Sequence, residues 1–164
     1  MRGLPDVKSE YKRKFLVVID DTPECDRAVT FAAHRVQRTG GTVLLLSVID
    51  SADFQQFLGV EEVMRAEARE EAERLLDRRI ARIAAIGEIR TETVIREGRP
   101  IEQIEKLIAE DPAIGILVLA ASTSPEGPGP LVTAFASRSG GGALPILVTI
   151  VPGSMTDQQI VDVT

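Results

Sequence analysis

Four stretches of this chain are apolar almost from end to end: FLVVID (15–20), TVLLLSVID (42–50), AIGILVLAA (113–121) and LPILVTIVP (144–152). A strand with one face in water alternates apolar and polar side chains, whereas a strand covered on both faces does not. These runs are therefore predicted to be strands with helices packed above and below. A fifth stretch, TETVIRE (91–97), is more polar and is expected nearer a sheet edge.

The intervening segments carry helical signals. In DTPECDRAVTFAAHRVQRTGG, Asp21 or Thr22 can cap, Pro23 suits a first turn, and Glu24 follows Asp21 at capping-box spacing. Ala28, Val29, Ala32, Ala33 and Val36 recur at helical intervals until Gly40-Gly41 ends the run. From 60 to 86, Val60, Val63, Met64, Ala68, Ala72, Leu75, Leu76, Ile80, Ile83 and Ala84 form one apolar stripe. On its other face Glu61/Arg65 and Glu70/Arg74 stand at supportive i, i+4 spacing, which reads as a solvated surface. Gly98 breaks the polar strand, Pro100 opens a helix with Ile101, Ile104, Leu107 and Ile108 on one side, and 131–139 can make a short helix.

Strand and helix thus alternate five times. Parallel neighbours need right-handed crossovers, so the expected fold is a doubly wound, three-layer α/β domain over 14–152. Residues 1–13 read as a loose arm, and 153–164 as a tail that is either frayed or a small edge strand. At 164 residues the chain suits one domain, and with 4% aromatics its core must be built from Val, Ile, Leu and Ala. The net charge of −6 argues against nucleic acid bound through its phosphates and against a polybasic membrane surface. No apolar run reaches the length of a membrane span, and MRGLPDVKSEYKRK lacks a signal peptide's apolar segment. Cys25 is the single cysteine, so no internal disulfide is available and a reducing cytoplasmic setting is the expectation.

In open parallel sheets, ligands sit beyond the carboxyl ends of the strands where the strand order reverses. The first and fourth strands are the most apolar and so the most central. They end at Asp20-Asp21-Thr22 and at AASTSPEGPGPLVT (120–133), which are expected to face one crevice. LVVIDDTPE looks like the first strand of a response-regulator receiver. However, the third strand ends Arg96-Glu97-Gly98 without a phospho-acceptor Asp, and residues 139–164 contain no Lys, so that reading fails.

FLVVIDDT…DRAV, LLLSVID, VIREGRPIEQI, ILVLAAS and PILVTIVP, in this order, resemble the universal stress protein family over residues 14–152. The resemblance implies a flavodoxin-like (adenine nucleotide alpha hydrolase-like) five-stranded parallel sheet of order 3-2-1-4-5, and a homodimer joined along the fifth strands. It also implies an adenine nucleotide site. Ile19 and Asp20 would meet base and ribose, with Asp21 beside them, and Val48 would line the adenine pocket. The family's Gly-x2-Gly-x9-Gly-Ser/Thr phosphate loop would fall on Ala120, Ser122, Gly127, Gly129, Thr133 and Ala134. Here Ala120 replaces the first glycine, Val132 stands where the last is expected, Thr133 keeps the hydroxyl, and the spacing is about one residue short.

The residues of that loop argue both ways. Gly127 and Gly129 permit close backbone approach, hydroxyls abound, and a helix N-terminus follows. Against this, Pro125, Pro128 and Pro130 remove three N–H donors, Glu126 adds negative charge, and no Lys or Arg occurs between Leu107 and Ser137. AMP or ADP is therefore expected over ATP, with a ligand-free rigid turn as the alternative. Asp21 is expected to cap the helix rather than join Asp20 and Glu24 around a metal; no metal site is expected. His34 reads as a surface residue and Cys25 as a small buried side chain, although a first helical turn can lower a thiol's pKa. Ser137 and Ser139 are candidate phosphorylation sites. Without a triad or acid/base pair, the expected function is a stress-response binding module. The alternatives are a ligand-free homodimeric interaction module and a slow nucleotide hydrolase.

Overall fold

The computed structural model describes residues 13–54, 59–138 and 146–164; the expectations for the arm over 1–12, for Ser139 and for 144–145 fall outside them. Five strands, β1 (Lys14–Val18), β2 (Thr42–Ile49), β3 (Thr91–Glu97), β4 (Ile114–Ala121) and β5 (Leu147–Pro152), form one sheet. All neighbours are parallel, in the order β3-β2-β1-β4-β5. The helices are α1 (Cys25–Thr39), α2 (Glu61–Ile86), α3 (Pro100–Glu110), α4 (Pro130–Arg138) and α5 (Asp157–Val163), with a short 3-10 turn over Ser51–Phe54.

The unbroken apolar runs exist because both faces of the sheet are covered. On one face Phe15, Val17, Val43, Leu45 and Val118 pack against α1, α2 and α5, where they meet Val29, Ala32 and Ile83. On the other, Leu16, Leu44, Leu46, Leu117 and Leu119 pack against Ile104 and Leu107 of α3 and Val132 and Phe135 of α4. In register, Leu16 lies beside Leu44 on β2 and Leu117 on β4, and all three are essentially fully buried. Each such side chain contributes roughly 1.5–3 kcal/mol by leaving water. The polar strand β3 is an edge, paired only with β2, as its alternation predicts.

Two expectations about helix ends need correction. Helix α1 starts at Cys25, with Glu24 at the N-cap making no side-chain cap bond, so neither Asp21 nor Thr22 caps it. Asp20 instead folds the preceding turn, its Oδ1 accepting from the Thr22 amide (3.0 Å) and hydroxyl (2.5 Å). The tail is neither frayed nor a strand but helix α5, opened by a capping box in which Thr156 and Gln159 bond each other's backbone amides. Ile160 of that helix is completely buried. The Thr-x-x-Gln signature was present in the sequence all along.

The apolar stripe of α2 also divides. Ala72, Leu75, Leu76 and Ile83 are buried, whereas Val60, Val63 and Ile80 are exposed and Ala84 lies on the open side. A helix of 26 residues is about 39 Å long at 1.5 Å per residue, longer than the sheet beneath it, so its first turns overhang. The charged face pairs differently from its i, i+4 spacing. Arg65 forms a two-point ion pair with Glu97 at the end of β3 (2.8 and 3.0 Å) and lies over the Phe54 ring, and Arg74 bonds Glu71.

Candidate functional site

The strand order reverses between β1 and β4, whose helices leave toward opposite faces of the sheet, and there the carboxyl ends enclose a cavity of about 780 Å³. Its floor is aliphatic, from Val18 at the end of β1 and Ile19 just after it, Val48 on β2, and Leu119 and Ala120 on β4. One wall is the turn from Asp20 to Cys25, the opposite wall is the start of α3 from Arg99 to Glu102, and Pro128 to Val132 form the roof.

The β1 turn is held from behind by a residue that sequence reasoning missed. Arg79 of α2 is 7% exposed, and its Nη2 donates to the Asp20 carbonyl at 2.8 Å while Nη1 lies 3.4 Å from Asp26. Its Nε is the one buried side-chain polar atom among the described residues without a hydrogen-bond partner. A signal for it existed: Arg79 sits at a stripe position, three residues after Leu76 and four before Ile83, where an apolar side chain is expected. Cys25 packs beside this guanidinium with its Sγ 3.8 Å from the Val18 carbonyl. Burial pushes the thiol's pKa up, and the backbone at Asp20 and the charge of Arg79 offset this only in part. Cys25 is thus a small buried side chain at the cavity wall, as expected from the sequence, and the helix terminus does not lower its pKa.

The β4 loop is organised from within. Its Ser124 amide donates to the Ser122 hydroxyl (3.0 Å) and its Glu126 amide to the Ser124 hydroxyl (3.2 Å). The Ser122 amide bonds the Pro128 carbonyl (2.9 Å) and the Gly127 amide the Ser124 carbonyl (3.1 Å). Gly127 and Gly129 adopt φ of 124° and 110°, which side-chain-bearing residues rarely reach, so the tight path of this loop requires both glycines. Val132, where the resemblance expects a glycine, is buried in the core beneath the roof.

Of the sequence-derived site residues, Ile19, Asp20, Val48, Ala120 and Gly129 come together around the cavity. Asp21, Ser122, Gly127, Thr133 and Ala134 do not line it. Asp21 points to solvent and pairs with Arg78 at 3.2 Å, Thr133 is exposed, and Ala134 packs on the core. Arg99, Glu24, Asp50 and Glu102, by contrast, border the space. Among the described residues no three His, Cys, Asp or Glu side chains are placed to hold a metal ion, and no helix is long and apolar enough to cross a membrane.

The sequence profile described as the Universal stress protein family matches residues 12–127, which is most of the sheet and both walls of the cavity. The chain belongs to the universal stress protein family. Solved structures agree on the fold. This universal stress protein superposes on UspA from Lactobacillus plantarum with a TM-score of 0.70 at 22% identity, covering 85% of this chain and 97% of that one. A universal stress protein from Archaeoglobus fulgidus gives a TM-score of 0.62 at 16% identity, with 84% and 97% covered. A further universal stress protein, solved in complex with cAMP, gives 0.55 at 20% identity over 88% and 99%. Comparison with curated protein sequences gives no match.

Proposed function

We propose that this universal stress protein is a binding module for an adenine nucleotide, held at the carboxyl ends of β1 and β4. The observation that carries this reading is the cavity itself. A space of about 780 Å³ with an aliphatic floor lies at the switch point, and Asp20 projects from the strand that ends there. Ligand pockets of this fold class occupy that position, and pockets of a few hundred to a thousand Å³ suit small organic ligands. Val48 and Val18, on one face of the sheet, provide the apolar contact a purine ring needs, and the Asp20 carboxylate is an acceptor for ribose hydroxyls. The cAMP complex of a relative supports the same ligand class. Calorimetric titration with AMP, ADP and ATP tests the reading: heat with at least one is expected, and no heat with any of them sinks it. Release of inorganic phosphate over hours would turn the module into a slow hydrolase.

A second reading has its own observation. β5 is an edge strand whose Leu147 is 68% exposed and Ile150 38% exposed. An unpaired, apolar edge is a template for pairing with another copy of itself. Dimerisation through β5 is compatible with nucleotide binding, but a dimer that binds no nucleotide would be an interaction module alone. Sedimentation of Leu147→Lys against the parent protein separates these: loss of the dimer in the variant supports pairing through β5, and a parent that is monomeric at micromolar concentration ends it.

A further inference from the structure

The cavity has an aliphatic floor but an acidic border. Asp20, Glu24, Asp50 and Glu102 all face it, against the single guanidinium of Arg99. That guanidinium is compromised, because its side chain is 83% exposed and lies 3.8 Å from Glu102. Two of the carboxylates are held in place by their own turns, Asp20 by the Thr22 amide and hydroxyl and Asp50 by the Ala52 amide. The β4 loop that leads into the roof does not compensate. The amides of Ser122, Ser124, Glu126 and Gly127 are spent inside the loop, and its three prolines have none to give. A triphosphate entering here would meet carboxylates where it requires donors and cations.

We propose that the cavity takes an adenine nucleoside carrying at most one phosphate, and that Glu24 and Glu102 are the residues that keep polyphosphates out. This rests on the adenine reading given above and narrows it. Burial of the ring against Val48 and Val18 is indifferent to the charge of the border. Leu131 and Val132, in the first turn of α4, line the cavity, and the N-terminal end of a helix favours a single anionic group over none. Every further phosphate adds negative charge next to Glu24 or Glu102. Among the described residues neither glutamate's side chain makes a hydrogen bond. Glu24 makes no cap bond at the head of α1, and Glu102 has only its long i, i+3 contact with Arg99.

The test is a calorimetric series with adenosine, AMP, ADP and ATP, at low and at high sodium chloride, on the parent and on the double variant Glu24→Gln/Glu102→Gln. On the parent, ATP is expected to bind about tenfold or more weaker than AMP at low salt, because like charges within several ångströms repel appreciably in a half-buried site. High salt should narrow that gap by screening. The double variant should narrow it too, raising affinity for ATP several-fold more than affinity for adenosine, which a merely structural effect would not do. ATP binding as tightly as AMP on the parent overturns the proposal and leaves the adenine reading standing. A double variant that shifts adenosine and ATP alike also overturns it. If none of the four ligands binds, the adenine reading itself falls and this inference with it.

Discussion

The turn after β1 and the loop after β4 face each other across one cavity, yet they are held in opposite ways. The β1 turn depends on a distant element: Arg79, some sixty residues along the chain, reaches through the core to the Asp20 carbonyl. The β4 loop depends on itself, with bonds that span only a few residues and two glycines at positive φ. A turn braced by tertiary contacts keeps Asp20 at the cavity wall. A loop that satisfies its own amides has few left for a ligand. The difference teaches that retaining small and hydroxylated residues in a loop does not preserve an anion site when those hydroxyls accept from the very amides an anion would need.

The comparison breaks first at Arg79. Arg79→Met should lower unfolding free energy by about 3 kcal/mol, because it strips the Asp20 carbonyl of its donor and leaves Asp26 without its buried partner. Urea denaturation measures this, and a loss below about 1 kcal/mol would mean that the β1 turn is not braced from α2. Next comes Gly129→Ala, which adds a Cβ in open space but at φ 110°. Its expected cost is about 1–2 kcal/mol from backbone strain alone, read as a lower melting temperature.

Lys14 supplies a control far from the cavity, at the amino end of β1. Its ammonium lies 2.8 Å from both Asp111 and Glu92, and those hydrogen bonds raise its pKa above the ordinary 10.5. The folded state therefore holds this proton more tightly than the unfolded chain does. The resulting stability is fully present below pH 10.5 and is lost as the pH climbs through the raised value. Lys14→Met should cost about 1 kcal/mol at pH 7, with the deficit shrinking in strongly alkaline buffer and ligand affinity unchanged. A deficit that stays constant to the alkaline limit would show that packing, not charge, is responsible. The smallest effect is expected from Ser124→Ala. Removing one exposed acceptor in the β4 loop should cost no more than about 0.5–1 kcal/mol, and phosphate-dependent binding should change less than twofold. A large gain in ATP affinity in this variant would mean that the Glu126 amide had been withheld from the ligand by that one hydroxyl.

Much of this was legible before folding. The runs at 15–20, 42–50 and 113–121 mark buried strands, TETVIRE marks an edge, and the family resemblance supplied the strand order that the sheet adopts. Ile19, Asp20, Val48, Ala120 and Gly129, named as site residues from the sequence, all line one cavity. The misses have local causes. Asp21–Glu24 matched a capping box, but the Asp20 carboxylate claimed the Thr22 amide first. MTDQQIVDVT was too short and polar to read as a helix by periodicity, although its Thr156–Gln159 box was present. Thr133 has the right chemistry for a phosphate loop but is carried away from the cavity by the α4 backbone.

What the sequence determined by itself is the layered α/β architecture, because hydrophobic pattern is a local record of which faces are covered. Tertiary structure alone decided the character of the site. Arg79 against Asp20, Arg65 against Glu97, and Arg99 and Glu102 opposite Asp20 and Glu24 are each brought together from separate elements. Such encounters leave no trace in spacing along the chain. The charge that a ligand meets is the sum of side chains which become neighbours only once the strands have taken their order.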